Sequence, residues 1–168
     1  RMVRELKIRL GSCIFTTNSK VTLAETIVQL LKEQGMTITT VESCTGGMVS
    51  ARLTDVAGVS EVFKQGFVTY SNKAKRKLIG VKKMTLKKYT AVSAQTAWEM
   101  ARGGAVLTDA DVCISVTGYA GPESGEDGQP AGLVYIGCNV KGRIVVQEFH
   151  FSGDRRTIRE LATVHALT

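Results

Sequence analysis

Thr37-Ile38-Thr39-Thr40-Val41-Glu42-Ser43-Cys44-Thr45-Gly46-Gly47 is the stretch that decides how this chain is read. An apolar, β-branched run stops abruptly at small polar residues and paired glycines. Met48-Val49-Ser50-Ala51-Arg52-Leu53 then resumes with helical spacing. Such a passage predicts a buried strand, a tight turn and a helix. Paired glycines permit backbone conformations that a Cβ disfavours, and they let a ligand approach the main chain. The helix behind them is expected to aim unpaired N–H groups and its positive end at whatever sits over the turn. Ser43, Cys44 and Thr45 would then lie at the mouth of an α/β sheet.

Working outward, Leu23, Ile27, Leu30 and Leu31 recur at helical spacing, Gly35 is the expected C-cap, and residues 36–42 form the first strand. Downstream, a helix is expected over 46–54, and Val62–Tyr70 alternates as a second strand. Ser71-Asn72 caps a helix bearing Lys73, Lys75, Arg76 and Lys77, which Gly80 ends. A short helical turn follows over 84–89, and Ser93 opens a longer helix reaching Leu107. Asp111–Thr117 is another apolar run that stops at a glycine-bearing turn, Gly118–Pro122. A polar loop over 123–130 leads to strands 133–139 and 144–151, joined by Lys141-Gly142 as a hairpin. Asp154 opens the last helix. Residues 1–20 read as an edge strand or linker. The alternation predicts a three-layer α/β/α domain with a mixed central sheet over 21–168.

With 168 residues, 43% hydrophobic and 22% charged, the chain suits one globular domain with a real core. No apolar run is long enough to span a bilayer, and Arg1–Arg9 has no signal-peptide core behind it, so a cytoplasmic protein without a membrane partner is expected. A start on Arg1-Met2 and an end within a helical pattern at Leu167-Thr168 suggest a piece of a longer chain. Lys and Arg total 22 against 15 Asp and Glu, a net charge of +7. The densest block is Lys73–Lys77 with Lys82, Lys83, Lys87 and Lys88; it is either a solvated face or a surface for phosphate or nucleic acid. No recognition-helix, zinc-finger or aromatic RNA-binding pattern accompanies it, which argues against nucleic acid. Cys13, Cys44, Cys113 and Cys138 show no C-x-x-C spacing, and only two histidines could help them. Zinc is not expected; three of these thiols read as core residues, and Cys44 stands apart in the turn.

The two strand-to-glycine turns, 43–47 and 117–121, carry the functional signal, because ligands of α/β sheets gather outside the carboxyl ends of the strands. Neither turn is a P-loop or a dinucleotide fingerprint. A small anion over the first turn and a plain chain reversal both remain open. Ser43 lacks the G-x-S-x-G elbow, and the positions of His150 and His165 do not suit a Ser–His–Asp triad. A base for Ser43 would more naturally be a lysine, and Lys75 lies one turn into the helix after strand 62–70, near Tyr70 and Asn72. It serves only if its pKa falls toward neutrality; spacing alone makes it a surface lysine. Glu42 is either a site carboxylate or a capping partner. Arg155 and Arg159 suit phosphate or carboxylate, or are solvated. Tyr119 either stacks on a ring or packs.

Glu-Ser-Cys-Thr-Gly-Gly (42–47), Thr-Asp-Val-Ala-Gly-Val-Ser (54–60), Gly-Phe-Val-Thr-Tyr-Ser-Asn-Lys-Ala-Lys (66–75), Ala-Val-Ser (91–93), Thr-Gly-Tyr-Ala-Gly-Pro (117–122) and Phe-Ser-Gly-Asp-Arg (151–155) occur in this order. Over about residues 22–168 the chain closely resembles the C-terminal domain family of the competence/damage-inducible protein CinA, whose stand-alone relatives are nicotinamide-nucleotide amidases. Residues 1–20 are similar to the linker before that domain. The N-terminal molybdopterin-binding-like domain of the longer relatives, associated with ADP-ribose pyrophosphatase activity, is not part of this sequence. The resemblance implies hydrolysis of nicotinamide mononucleotide to nicotinate mononucleotide and ammonia, in pyridine nucleotide salvage, with no cofactor or metal and in a homodimer. It puts the nucleophile on Ser43 and the base on Lys75, with Tyr70 relaying or orienting the proton and glycine-turn amides facing the oxyanion. Thr45, Gly46, Gly47, Asn72, Thr117, Gly118, Tyr119 and Gly121, with Arg155 or Arg159, would hold ribose and phosphate. The family commonly has His-Gly at Tyr89-Thr90, Lys-Pro-Val-Gly-Thr-Val at Gln129–Val134, and Ile at Tyr119, departures that bear on substrate choice. A non-catalytic regulatory or partner-binding module, and Cys44 as nucleophile, are the alternatives.

Overall fold

In a computed structural model of the chain, residues 15–125 and 127–168 are described. Most of the 1–20 segment, and Cys13 with it, lies outside them. The elements run α1 (Leu23–Glu33), β1 (Ile38–Glu42), α2 (Met48–Thr54), β2 (Phe63–Val68), α3 (Asn72–Ile79), α4 (Lys83–Tyr89), α5 (Ala94–Thr108), β3 (Val112–Gly118), β4 (Leu133–Val140), β5 (Arg143–His150) and α6 (Arg155–Ala166). The sheet order is β2-β1-β3-β4-β5. β1 is parallel to both β2 and β3, whereas β4 pairs antiparallel with β3 and with β5. This is the mixed sheet with helices on both faces that the alternation of elements predicts. No helix of the described residues is long and apolar enough to cross a membrane.

Two apolar cores cover the two faces. One gathers Val28 and Leu31 of α1, Val49 and Leu53 of α2 and Ile158 and Ala162 of α6 against Ile38, Ile114, Val116 and Ile136. The other gathers Ile79, Val81, Leu86 and Met100 against Val41 and Cys113. All five residues of β1 are buried, as expected of a parallel strand covered on both faces. Boundaries follow the local chemistry. Thr22 and Glu25 form a capping box on α1, and Ser71, Ser93 and Asp154 cap α3, α5 and α6. Gly35 lies one residue beyond the α1 C-cap, at φ +60. Lys141 and Gly142, at φ 49 and 88, make the two-residue hairpin.

The start of α2 departs from expectation. It begins at Met48 rather than 46, and its N–H groups do not face a ligand. Glu42, fully buried at the end of β1, accepts the amides of Gly47 (2.9 Å), Val49 (3.1 Å) and Ser50 (2.8 Å) and the Ser50 hydroxyl (2.7 Å). Of the two roles open for Glu42, capping is the one observed. A buried carboxylate is tolerable here because four donors and the positive helix end surround it. Strand β2 also ends two residues early, at Val68, and the Thr69 amide gives its last ladder bond to β1, to Glu42 O at 2.7 Å. Tyr70 therefore leaves the sheet.

α5 lies so close to the end of α3 and to the sheet that two of its positions admit no side chain. A Cβ on Gly103 would stand 1.9 Å from the Ile79 carbonyl oxygen, and one on Gly104 would stand 2.4 Å from Val41 Cγ2. Gly103→Ala should therefore destabilise the domain by about 2 kcal/mol, because overpacking outweighs a helix-propensity gain of about 1 kcal/mol. Glu42→Ala should cost about 3 kcal/mol or more by stranding buried donors. Urea unfolding of the two variants checks both; wild-type stability in either would contradict the packing or the cap described.

Candidate active site

Ser43 is the first residue beyond β1, and its amide donates to Val116 O of β3 at 2.9 Å, which ties the turn to the neighbouring strand. The parallel pairing of β1 with β2 brings the carboxyl ends of both strands to the same end of the sheet. The chain leaving β2 enters α3 at once, so Lys75 comes to Ser43 although 32 residues separate them. Lys75 Nζ donates to Ser43 Oγ and to the Thr69 carbonyl, each at 2.8 Å.

Lys75 is not the surface lysine that spacing suggests. It is 1% exposed, and with Ile79 at i+4 it forms the buried stripe of α3. The stem packs like an apolar side chain while the amine finds two acceptors. Burial penalises the charged form and pushes the Lys75 amine down to about 8, with the nearby Cys44 thiol acting weakly the other way. Once neutral, the amine can keep an N–H on Thr69 O and turn its lone pair to the Ser43 hydroxyl. Cys44, equally buried, has its thiol pushed up to about 11 by desolvation. It stays protonated near neutrality and is a poor nucleophile.

Ser43 and Lys75 open into a cavity of about 600 Å³, a size ordinary for small-molecule sites. Of the residues singled out in the sequence, Ser43, Lys75, Tyr70, Asn72, Thr117, Gly118, Tyr119, Gly121 and Arg155 line it together. Arg155 links the second glycine turn to the β2–α3 connection, donating to Gly121 O at 2.7 Å and to the Tyr70 hydroxyl at 3.0 Å. Among the described residues the Tyr70 hydroxyl has no hydrogen bond to Ser43 or Lys75. Thr117 Oγ1 donates to Ala91 O at 2.6 Å, which sets the wall opposite. Tyr119 packs over Gly125, where a Cβ would meet its ring at 2.3 Å, and donates to Asp127 Oδ2 at 3.0 Å.

Thr45, Gly46, Gly47 and Arg159 stand behind the cavity wall. Arg159 donates to the carbonyls of Cys44 (2.9 Å) and Thr45 (3.0 Å) and holds the turn from beneath. Gly46, at φ +60, leaves room for that guanidinium, which would lie 3.3 Å from an added Cβ. The Gly46 amide donates to Ser43 O and the Gly47 amide to Glu42, so both glycine amides are already engaged. His150 pairs with Glu148 at 2.7 Å and His165 packs on Phe149 and Phe151, so neither forms a triad with Ser43. Thr69, Leu86, Thr90, Ala91, Val92 and Asp127 were missed. Thr69 acts through a carbonyl, which any residue would supply, and no sequence signal could have found it. Among the described residues no group of His, Cys, Asp or Glu could hold a metal ion.

Comparisons with known proteins agree on one family. The CinA C-terminal domain family matches residues 20–168. A putative competence-damage inducible protein of Clostridium novyi is 48% identical over 164 residues, covering 98% of this chain and 39% of its own. A CinA-like protein of Kosmotoga olearia is 46% identical over 164 residues, 98% of this chain and 40% of its own. The chain thus spans about two-fifths of the length of these curated relatives. The crystal structure of the competence damage-inducible protein A from Klebsiella pneumoniae superposes with a TM-score of 0.85 at 40% identity, over 86% of this chain and 90% of that one. A competence-damaged protein (CinA) superfamily structure from Escherichia coli gives 0.85 at 37% identity, over 94% of each chain. On these grounds the chain belongs to the CinA C-terminal domain family.

Proposed function

We propose that this domain is a serine amidase that hydrolyses the carboxamide of nicotinamide mononucleotide to nicotinate mononucleotide and ammonia. The single observation that carries the reading is the 2.8 Å contact between Ser43 Oγ and a buried amine whose pKa is near 8. A serine is a weak nucleophile unless an adjacent base accepts its proton, and a desolvated lysine is such a base.

Neutral Lys75 takes the Ser43 proton as Oγ bonds to the carboxamide carbon. The resulting ammonium returns that proton to the departing nitrogen, the C–N bond breaks, and ammonia leaves an acyl ester on Ser43. Water then attacks the ester with Lys75 again as base, and nicotinate mononucleotide and free Ser43 are regenerated. The glycine amides are engaged elsewhere, so the amide of Cys44, the one other residue of the turn at the cavity, is the donor assigned to the oxyanion. The Thr69 carbonyl orients Lys75. Tyr70, held by Arg155, acts as wall rather than relay, and the remaining donors of Arg155 suit the phosphate. On this reading the protein works in the cytoplasm as a homodimer, expectations that rest on the family likeness.

Ammonia release from the purified protein tests the proposal. Ser43→Ala and Lys75→Met should lose at least about a thousandfold in kcat, and Cys44→Ala should retain activity. Nucleotide that binds without turnover in the wild type would instead favour a regulatory module. Because the neutral amine is the active form, kcat/KM should rise with pH through a midpoint near 8 and then level off; a flat profile from pH 6 to 9 would contradict Lys75 as base.

The same shift has a consequence for stability. The folded-state pKa lies below the ordinary 10.5, so the unfolded state binds the proton more tightly and stability rises between about pH 8 and 10.5. Lys75→Met removes this cost. At pH 7 the inactive variant should exceed the wild type by up to about 3 kcal/mol, and the gap should narrow toward pH 10.5 in chemical denaturation.

A further inference from the structure

The net charge of this chain is confined to one helical hairpin. Residues 71–90, which hold α3 and α4, contain eight Lys and Arg and no Asp or Glu. Of 22 cations and 15 acids in the chain, 14 and 15 therefore fall elsewhere, and the rest of the molecule is close to neutral. Lys75 is buried; Lys73, Arg76, Lys77, Lys82, Lys83, Lys87 and Lys88 are all exposed. Among the described residues, none of these seven is in an ion pair. Glu99, the carboxylate that touches the hairpin, is engaged by the Lys82 amide and the Thr85 hydroxyl, each at 2.8 Å. Other surface helices mix their charges: α1 carries Glu25 and Glu33 with Lys32, and α6 pairs Arg156 with Glu160 at 2.8 Å. Solvation alone would be served as well by a mixed face.

The hairpin is also part of the cavity. α3 starts at the wall with Asn72 and Lys75, Gly80 turns the chain, and α4 returns to the wall at Leu86 and Thr90. Each arm is about 12 Å long, so all seven cations lie within about two Debye lengths of the mouth at physiological salt. Their fields add there and outweigh the two described carboxylates of the wall, Glu123 and Asp127, the second of which already accepts from Tyr119, so an approaching anion is attracted before it makes any contact.

We propose that the 71–90 hairpin is an anion-collecting surface, which concentrates a small phosphorylated ligand at the cavity and raises its affinity without touching the reacting atoms. The proposal deepens the amidase reading and rests on its phosphorylated substrate, but binding alone tests it. A nucleic acid is the less favoured occupant, because Tyr89 is the one aromatic residue in 71–90 and single strands are held by rows of stacking rings.

The test uses Lys83→Glu/Lys87→Glu, two exposed positions outside the cavity wall, with an unchanged melting temperature as the folding control. Equilibrium binding of nicotinamide mononucleotide and of its phosphate-free riboside is measured at about 20 mM and about 500 mM salt. In low salt the variant should bind the mononucleotide about three- to tenfold more weakly than the wild type, with the two converging in high salt. The riboside should show no such loss. Equal mononucleotide affinity for the two proteins in low salt, or no detectable binding by the wild type, overturns the proposal. So does a short single-stranded oligonucleotide that binds the wild type more tightly than the mononucleotide does. Binding without hydrolysis would remove the amidase reading and leave this one standing, so the two failures are distinguishable.

Discussion

An amine held out of water between a hydroxyl and a carbonyl is the constraint on which the rest of this structure depends. Lys75 sits where a core residue belongs, and its two hydrogen bonds are the condition for its being there. A buried cation in an apolar setting either finds a counter-charge or gives up its proton. Among the described residues no carboxylate pairs with it: the titratable group that acts on it is a thiol that is itself kept neutral. The site thus holds two groups whose charged forms are both disfavoured. That is the electrostatic setting in which a lysine becomes a base rather than an ion-pair partner.

The neighbouring carboxylate shows how this is arranged. Glu42 immediately precedes Ser43, and a free carboxylate there would hold Lys75 protonated. Instead its oxygens are engaged by the amides that open α2 and by Ser50, on the face of β1 turned away from α3. The strand pleat separates the two, because successive side chains point to opposite faces. Arg159 completes the support by fixing the carbonyls of Cys44 and Thr45 from α6. The turn is held from below by a cation and from behind by an anion, and only Ser43 and Cys44 of it reach the cavity.

Much of the architecture was legible because its signals are local. The β-branched run 37–41, the caps Ser71, Ser93 and Asp154, and Lys141-Gly142 each state an element or its end with residues a few positions apart. The errors fell where a distant partner decides. α2 starts later than its glycines suggest because Glu42 takes the first amides, and β2 stops where β1 offers its last carbonyl, Glu42 O, to the Thr69 amide. The cavity lining was legible in part. Asn72, Thr117 and Arg155 stood beside recognisable motifs, whereas Leu86 lines the wall through helix packing that leaves no local trace, and the motif at Ala91-Val92 gave no sign that it faces the cavity.

The sequence by itself determined the order of strands and helices, the two glycine turns at strand ends and the family, because periodicity, capping and motif order are carried by neighbouring residues. Only the tertiary structure decided the state of Lys75. Its spacing is that of an exposed lysine. The parallel β1–β2 pairing and the packing of α3 on the sheet bury it against Ser43 and Thr69. A pKa near 8 is a property of that enclosure, since desolvation comes from every element packed around the amine and from no stretch of chain alone.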